Sequence, residues 1–510
     1  MIVSSNFPKE LFNELIGIEA YLVGGAIRDL LYFQIQSSIE EVNNENIVDF
    51  DFVIFDFPDL ASFTKRIADK TNSHFVELDE QNKIYRLINQ YWQADFAAPR
   101  GSDINEDLKA RDFTINSMAL KLPLIDNFPK QNSLKDLIDP LNGYKDLQAG
   151  LIRANNEANL KDDPLRILRA YRIAAGLNSR LISQSDYKHN SHPNFQIESQ
   201  TREIIRELAN SKIFAGTAGE RISFELWLLL SQSKSFEYLK QLSEDGVLEI
   251  IFPEFADLKK VPPNDFHHLP LLEHTLELVR QYEEYAIQEV PDSCLQFIKE
   301  NNLSNIPMEA IIKMSCLLHD IGKPATWEIK ENNKHTFYGH DALGGEMTEK
   351  IGKRMLWPRA VINLLVKLVD FHLRPFCIAP IDSEPTEKAE RRFFRQLGDD
   401  FHPLIALAWA DMLSIRGPRV DEQMIALNKK RLTDLSAHYE TYSAREKREP
   451  FLLAGDLLIQ AIQKANLQPT KLIKELLNEI RDIQMAGQIS SEKEAFDWFV
   501  NEANKRTLGN

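Results

Sequence analysis

Residues 21–29 read YLVGGAIRD and residues 48–51 read VDFD. The first is an apolar strand that runs into the glycine pair Gly24-Gly25 and then into a helix over Ile27 to Leu31. The second is a strand carrying alternating carboxylates. Successive side chains of a strand point to opposite faces, so Asp49 and Asp51 share one face. Two such carboxylates repel, and a divalent cation relieves the repulsion. A glycine pair lets backbone amides approach a phosphate closely. A pair of metal-binding carboxylates beside a phosphate cradle indicates nucleotidyl or phosphoryl transfer. The plain alternative is an ordinary turn next to an acidic surface strand.

Outward from these stretches, residues 1–150 alternate strand-like runs (AYLVGG, VDFDFVIF, HFVEL, IYRLI, WQADFA) with short helical ones such as FTKRIADKT. That alternation predicts a mixed domain. Residues 33–47, FQIQSSIEEVNNENI, are polar and irregular and are expected to form a loop insertion. From about residue 155 strand patterns vanish and a 3.6-residue period takes over, in LRILRAYRIAAGL and ERISFELWLLL. A histidine-rich helical block occupies roughly 261–420, and helices punctuated by PFLLAGD and NLQPTK fill 421–510. The resulting order is 1–150, 151–260, 261–420 and 421–510, with α+β as the fold class.

The chain has 510 residues, enough for two to four domains. Charged residues make up 27% and apolar ones 43%, an ordinary water-soluble balance. The net charge of −16 argues against indiscriminate nucleic-acid binding, though not against a local basic groove. Cys294, Cys316 and Cys377 show no paired spacing and read as buried, inert thiols of a reducing compartment. The start, MIVSSNFPKELFNEL, has neither the basic end nor the apolar run of a signal peptide, and no stretch is apolar enough to span a bilayer. A cytoplasmic location without membrane contact is expected.

Two further segments carry chemistry. In RDFTINSMA, Arg111 and Asp112 flank a turn into an apolar run, and on a plain reading form a surface ion pair before a helix. In KDDPLRILRAYR, Pro164 suits a first helical turn and Asp162 or Asp163 can cap it. Arg166, Arg169 and Arg172 then line one helical face. An Asp acceptor beside an Arg donor matches the exocyclic amine and ring acceptors of cytosine, and adenine offers a similar pair. Guanine and uracil place a carbonyl where the carboxylate sits. One Asp/Arg pair can thus accept C and A while rejecting G and U.

GGAIRD, DFD, ARDFTINSMA, DPLNGYKDL, DDPLRILRAYRIAA and GERISFEL occur in this order within the first 230 residues. Together they resemble the class II tRNA nucleotidyltransferase and bacterial poly(A) polymerase family. The resemblance implies a polymerase-β-like head, a helical neck, and helical body and tail regions that hold tRNA. It implies that Asp49 and Asp51 bind Mg²⁺ and are catalytic, and that Gly24, Gly25 and Arg28 bind the triphosphate with Asp29 supporting Arg28. It places Arg111 and Asp112 at the ribose, Asp163 and Arg166 at the incoming base, and Arg169 and Arg172 at phosphate or packing contacts. Asp95 is a candidate third carboxylate. Three departures stand out: the 33–47 insertion, Ala110 where the family usually has a first arginine, and Ser117 in place of a common alanine.

The third block holds His274 in LLEHTLELV, His319-Asp320 in LLHDIGKP, His340 in GHDALGGEM, His372 in VDFHLRP and Asp411 in AWADML. This order resembles the HD phosphohydrolase domain. It implies a divalent-metal site at His274, His319, Asp320 and Asp411, with His340 and His372 as accessory histidines. Lys323 and Tyr338 read either as groups that support the metal ligands or as surface groups, the surface reading being preferred. Such domains either hydrolyse phosphates or only present tRNA, and both alternatives stay open. In the tail, Lys430, Arg431, Arg445, Lys447 and Arg448 form basic clusters that could meet tRNA phosphates, or simply a solvated face.

The function expected is template-independent addition or repair of the 3′-terminal CCA of tRNA from CTP and ATP, with no obligate protein partner. CC-adding, A-adding and poly(A) synthesis are alternatives of the same chemistry. An HD phosphohydrolase with a silent head, or a non-catalytic tRNA-binding protein, are alternatives of other classes.

Overall fold

The computed structural model describes residues 9–35, 48–122, 135–182, 194–211, 213–214, 216–331, 334–379, 383–468 and 471–508. The chain divides into two compact units, Met1–Pro253 and Glu254–Asn510.

The first unit is built on a seven-stranded sheet: β1 (Ala20–Val23), β2 (Val48–Ile54), β3 (His74–Asp79), β4 (Ile84–Ile88), β5 (Trp92–Ala97), β6 (Ala119–Lys121) and β7 (Leu137–Ile138). Their order is β3-β4-β5-β2-β1-β6-β7, and only β2 and β5 run parallel. The alternation in VDFDFVI explains the placement of β2. Phe50 and Phe52 are buried, and Phe52 lies against Phe12 and Phe96. Burying each ring removes enough apolar surface to contribute about 2 kcal/mol, which commits the intervening Asp49 and Asp51 to the opposite face. In β5, Trp92, Ala94 and Phe96 are buried, leaving Gln93 and Asp95 beside Asp49 and Asp51 in register.

The helix Gly25–Ile35 follows β1 directly. It includes residues 33–35, so the expected insertion begins later than predicted; residues 36–47 lie outside the described residues. After the sheet, the helices Leu165–Ile182 and Gly219–Leu230 pack together as the predicted neck. Asp163 caps the former, its Oδ1 accepting from the Leu165 amide at 3.3 Å. Strands do not vanish entirely after residue 155. Two-residue pairs form at Leu151–Ile152 with Gln196–Ile197, Asn302–Leu303 with Ile306–Pro307, and Glu328–Ile329 with His335–Thr336. Pairs this short bury too little to leave a period in the sequence.

The second unit is helical. The helices Leu271–Gln281, Met308–Leu318, His340–Arg354, Arg359–Phe371 and Phe401–Ser414 surround the histidine cluster. The 27-residue helix Glu422–Arg448 follows. The last helices share a small core around Leu476, Ile480, Phe499 and Ala503. Cys294 and Cys316 are buried as expected, but Cys377 is exposed, because it ends a four-residue helix at the surface. Among the described residues, no helix is long and apolar enough to cross a membrane.

Candidate active site

The turn after β1 and the acidic face of β2 form one site. Val23 pairs with Asp51 in register, so Gly24 leaves the strand directly beside that carboxylate. Gly24 has φ +74°, and a Cβ there would lie 2.7 Å from Asp51 Oδ2 and 3.3 Å from Arg111 Nη1. Both the backbone angle and the space demand glycine. Asp49, Asp51 and Asp95 gather on one face. Asp95 is matched by Arg86, at 2.6 and 2.7 Å. Burial raises Asp51 to about 6, with Asp49 and Asp95 adding to the rise and Arg111 opposing it. Burial, then Asp95, also raises Asp49. These carboxylates are short of positive charge, and the donor set of hard oxygens on one face fits a divalent cation of the Mg²⁺ kind.

The arginines around the carboxylates are held in place. Arg28 donates to Asp29 Oδ1 and to Asn116 Oδ1, both at 2.8 Å, and Asp29 also meets Arg180 at 3.1 Å. Arg111 Nε donates to the buried Asp107 at 3.0 Å. Arg169 binds Asp112 at 2.8 Å, while the Phe113 amide and Asn116 donate to the other Asp112 oxygen. Burial opposes the Asp112 charge, but Arg169 and these donors outweigh it and hold its pKa below the usual range. Arg166 Nη1 donates to the Asn159 carbonyl at 3.0 Å, Arg172 to Glu225 at 2.5 Å, and Arg221 to Asp163 at 3.3 Å. The surface ion pair that RDFTINSMA suggests does not form. Arg111 and Asp112 turn to different partners, Asp107 and Arg169, because both lie in a packed junction between sheet and neck.

In the second unit, His274, His319, Asp320, His340, His372 and Asp411 converge from different helices. His319 Nε2 lies 3.0 Å and His274 Nε2 3.8 Å from Asp320 Oδ2; His340 and His372 reach Asp320 Oδ1 at 3.4 and 3.6 Å. Asp411 is 4.0 Å from His274. The Nδ1 atoms of His319, His340 and His372 face the carbonyls of Cys316, Phe337 and Val369. A carbonyl only accepts, so each Nδ1 carries a proton, and a neutral ring then presents its Nε2 lone pair inward; burial opposes the charge of His319, but Asp320 outweighs it and raises the His319 pKa. His340 Nε2 and His372 Nε2 thus face each other at 3.4 Å. His274 Nε2 and His319 Nε2 are buried without an aligned hydrogen-bond partner, and the buried Asp320 oxygens, which also lack one, are held by charge contacts to His319 and to Lys323 Nζ. Burial lowers His372 to about 3 and drives His274 well down, so both rings are neutral. Inward lone pairs around a buried carboxylate fit a divalent metal.

Three family descriptions match in succession: "Poly A polymerase head domain" over 20–153, "Probable RNA and SrmB- binding site of polymerase A" over 194–259, and "HD domain" over 271–414. The first falls on the sheet that carries the acidic face and the third on the histidine cluster. The chain belongs to the tRNA nucleotidyltransferase and poly(A) polymerase family, with an HD domain. It is similar to the A-adding tRNA nucleotidyltransferase of Deinococcus radiodurans, at 28% identity over 93% of this chain and 94% of that one. It is also similar to the CC-adding tRNA nucleotidyltransferase of Synechocystis, at 27% over 94% and 93%. Its fold is like that of a Thermotoga maritima CCA-adding enzyme solved in complex with tRNA, with a TM-score of 0.53 and 19% identity over 98% and 94%.

Within this nucleotidyltransferase frame, several contributors escaped the sequence reading. Arg86, on β4, is visible only through its register with Asp95. Asn155 donates to the carbonyls of Leu108 and Arg111 and to Ser117 Oγ, and Asn159 to those of Lys109 and Arg111. They lock the RDF turn to the neck, and ANNEANL signals only a polar loop. Ser117 is accommodated by this network, donating to the Phe113 carbonyl at 2.8 Å. His267 was not anticipated either; its ring lies 4.3 Å from that of His274, in a group with Asp411. Lys323 is not a surface group: it is buried, with Nζ 2.5 Å from Asp320 Oδ2. Tyr338 is exposed, as expected. The basic clusters of the tail are largely engaged. Arg431 is buried against the carbonyls of Phe376 and Ser383, Lys430 pairs with Glu384 and Asp434, and Arg445 with Glu449 and the Met485 carbonyl.

Proposed function

We propose that the protein is a template-independent nucleotidyltransferase that adds or repairs the 3′-terminal CCA of tRNA from CTP and ATP, releasing pyrophosphate. The observation that carries this reading is the Gly24 turn placed directly beside the Asp51 carboxylate. It leaves room for a polyphosphate against the same face that can hold a cation. Asp49 and Asp51 would hold Mg²⁺, with Asp95 at the edge of the set. Bound there, Mg²⁺ supplies charge neutralisation for the triphosphate and lowers the pKa of an attacking 3′-hydroxyl.

The chain's own residues do the remaining work. Gly24 and Gly25 bring amides at a helix start to the phosphates, and Arg28, aimed by Asp29 and Asn116, adds a guanidinium. Arg111 stands over the Gly24 turn, and Asp112 is kept ionised by Arg169. Asp163 and Arg166, at the start of the neck helix, present an acceptor and a donor to the base edge of C or A. The work is expected in the cytoplasm, with tRNA as the macromolecular partner.

Relatives named for A addition and for CC addition resemble the chain almost equally, so narrower modes of the same chemistry are tested together with this one. A tRNA transcript lacking its last three nucleotides is incubated with CTP, ATP and Mg²⁺ and resolved at single-nucleotide resolution. A stop after three additions upholds the CCA reading. A stop at two, or growth only on a CC-ending primer, assigns the CC- or A-adding mode, and a long A tail assigns poly(A) synthesis.

A second reading concerns the HD domain. Its inward lone pairs support a divalent-metal phosphohydrolase, with His274, His319, Asp320 and Asp411 as ligands and His340 and His372 completing the ring. A cavity of about 590 Å³ lined by His267, His268, His335 and Arg416 adjoins the cluster through His267. Release of phosphate from a phosphomonoester by an Asp49→Ala variant, lost in an Asp320→Asn variant, is the result this reading requires.

A further inference from the structure

Arg100 follows β5 on the way to the helix Ile104–Lys109. Its backbone N–H donates to Asp107 Oδ1 at 3.1 Å, and the other oxygen of this buried carboxylate accepts from Arg111 Nε at 3.0 Å. Asp107 therefore holds Arg100 and Arg111 as neighbours, and Arg111 in turn reaches the Gly24 turn beside Asp51.

The other arginines of this region have acidic partners: Arg28 with Asp29, Arg86 with Asp95, Arg111 with Asp107, Arg169 with Asp112, Arg172 with Glu225, and Arg221 with Asp163. Arg166 has a carbonyl. The Arg100 side chain is exposed and makes no hydrogen bond or ion pair among the described residues. Although the residue is exposed overall, crowding of its guanidinium by protein, then the charges of Arg111 and Arg166, lower its pKa, while Asp107 and Asp112 only partly offset them. A guanidinium kept near two others, with the local carboxylates already engaged, is electrostatically costly until an anion arrives.

Ala110 ends the helix Ile104–Lys109, and its amide is bonded to the Asp107 carbonyl at 3.2 Å. Ala110 thus lies one helical turn after the Asp107 that holds Arg100, and its methyl group offers no charge.

We propose that Arg100 is a nucleotide-binding residue of the head, which binds the phosphates of the incoming nucleoside triphosphate and supplies the guanidinium that Ala110 cannot. This rests on the nucleotidyltransferase reading above. A residue that meets the phosphates serves CTP and ATP alike, because the two share that part of the molecule. It leaves the fold untouched, because its side chain holds nothing in the protein.

The test uses the full chain and four proteins: wild type, Arg100→Ala, Arg100→Lys, and Arg100→Ala combined with Ala110→Arg. Arg100→Ala is expected to raise KM for CTP and ATP by a common factor of about ten, with KM for the tRNA primer and the melting temperature unchanged. Arg100→Lys recovers part of the loss, and Ala110→Arg recovers part of it in the Arg100→Ala background. Equilibrium binding of a non-hydrolysable CTP analogue weakens by the same factor. A rise in KM for the primer instead assigns Arg100 to the RNA and overturns the proposal, as does an unchanged KM for all three. If the wild type incorporates no nucleotide, the function reading fails, while analogue binding still decides the role of Arg100.

Discussion

The Arg169 guanidinium closes on the Asp112 carboxylate at 2.8 Å and so joins the first turns of the neck helix to the turn that leads into β6. Asp112 is buried and Arg169 is partly exposed, so the pair is a structural link that also borders the proposed nucleotide site. Asp112→Ala leaves Arg169 without its partner and Asn116 without an acceptor. We expect a loss of about 2 kcal/mol in urea unfolding together with weaker nucleotide binding. Unchanged stability would mean that the pair does not hold the junction.

Asp49→Asn and Asp51→Asn remove charge from a face where burial and mutual repulsion already penalise it. Each is expected to lower nucleotide transfer by roughly a thousandfold, the scale of losing one preorganised electrostatic contact, without lowering the melting temperature. Transfer at near wild-type rate in either variant would remove that carboxylate from the metal set.

Base selection is expected to reside in Asp163 and Arg166. Asp163→Ala frees Arg221 and deletes the acceptor that repels a guanine or uracil carbonyl. Incorporation of GTP and UTP relative to CTP and ATP should rise about tenfold, corresponding to about 1.4 kcal/mol of discrimination. A variant that slows all four nucleotides equally would make Asp163 a helix cap and nothing more.

Asp245 supplies a pH-dependent link in the first unit. It accepts from Tyr171 at 2.6 Å, from Arg202 at 2.8 and 2.9 Å, and from Arg206 at 2.7 Å. Burial opposes its charge, but these donors outweigh it and hold its pKa below the usual carboxylate range. A depressed folded-state pKa gives stability that is full above the unfolded value and is lost as pH falls through the folded one. Asp245→Asn should cost about 3 kcal/mol at pH 7, and the gap to wild type should narrow only below about pH 4. A gap independent of pH would assign the loss to packing.

The HD cluster makes a prediction independent of the head. Facing lone pairs on His340 and His372 need a cation between them or a proton on one of them. A divalent transition metal should raise the melting temperature of the metal-stripped protein. Asp320→Asn should abolish both that rise and metal uptake measured by elemental analysis, while nucleotide transfer persists. Metal uptake retained by Asp320→Asn would move the site elsewhere.

The two-residue period of VDFDFVI was enough to set Asp49 and Asp51 on one face, because burying Phe50 and Phe52 leaves the carboxylates only one direction. The glycine pair, the capped neck helix and the spacing of the HD histidines were legible for the same reason: local geometry depends on near neighbours along the chain. What only the tertiary structure decided were the partners across distance. Asp112 with Arg169, Arg111 with Asp107, Arg86 with Asp95 and Lys323 with Asp320 each depend on which elements pack together. Composition and spacing are silent on that, so the plain reading of Arg111-Asp112 was an ion pair, and Lys323 was left between a role beside the metal ligands and the preferred surface one. The sequence determined which chemical groups the chain could bring to its sites. Packing decided which charges are neutralised inside the protein and which, like Arg100, are left for a ligand.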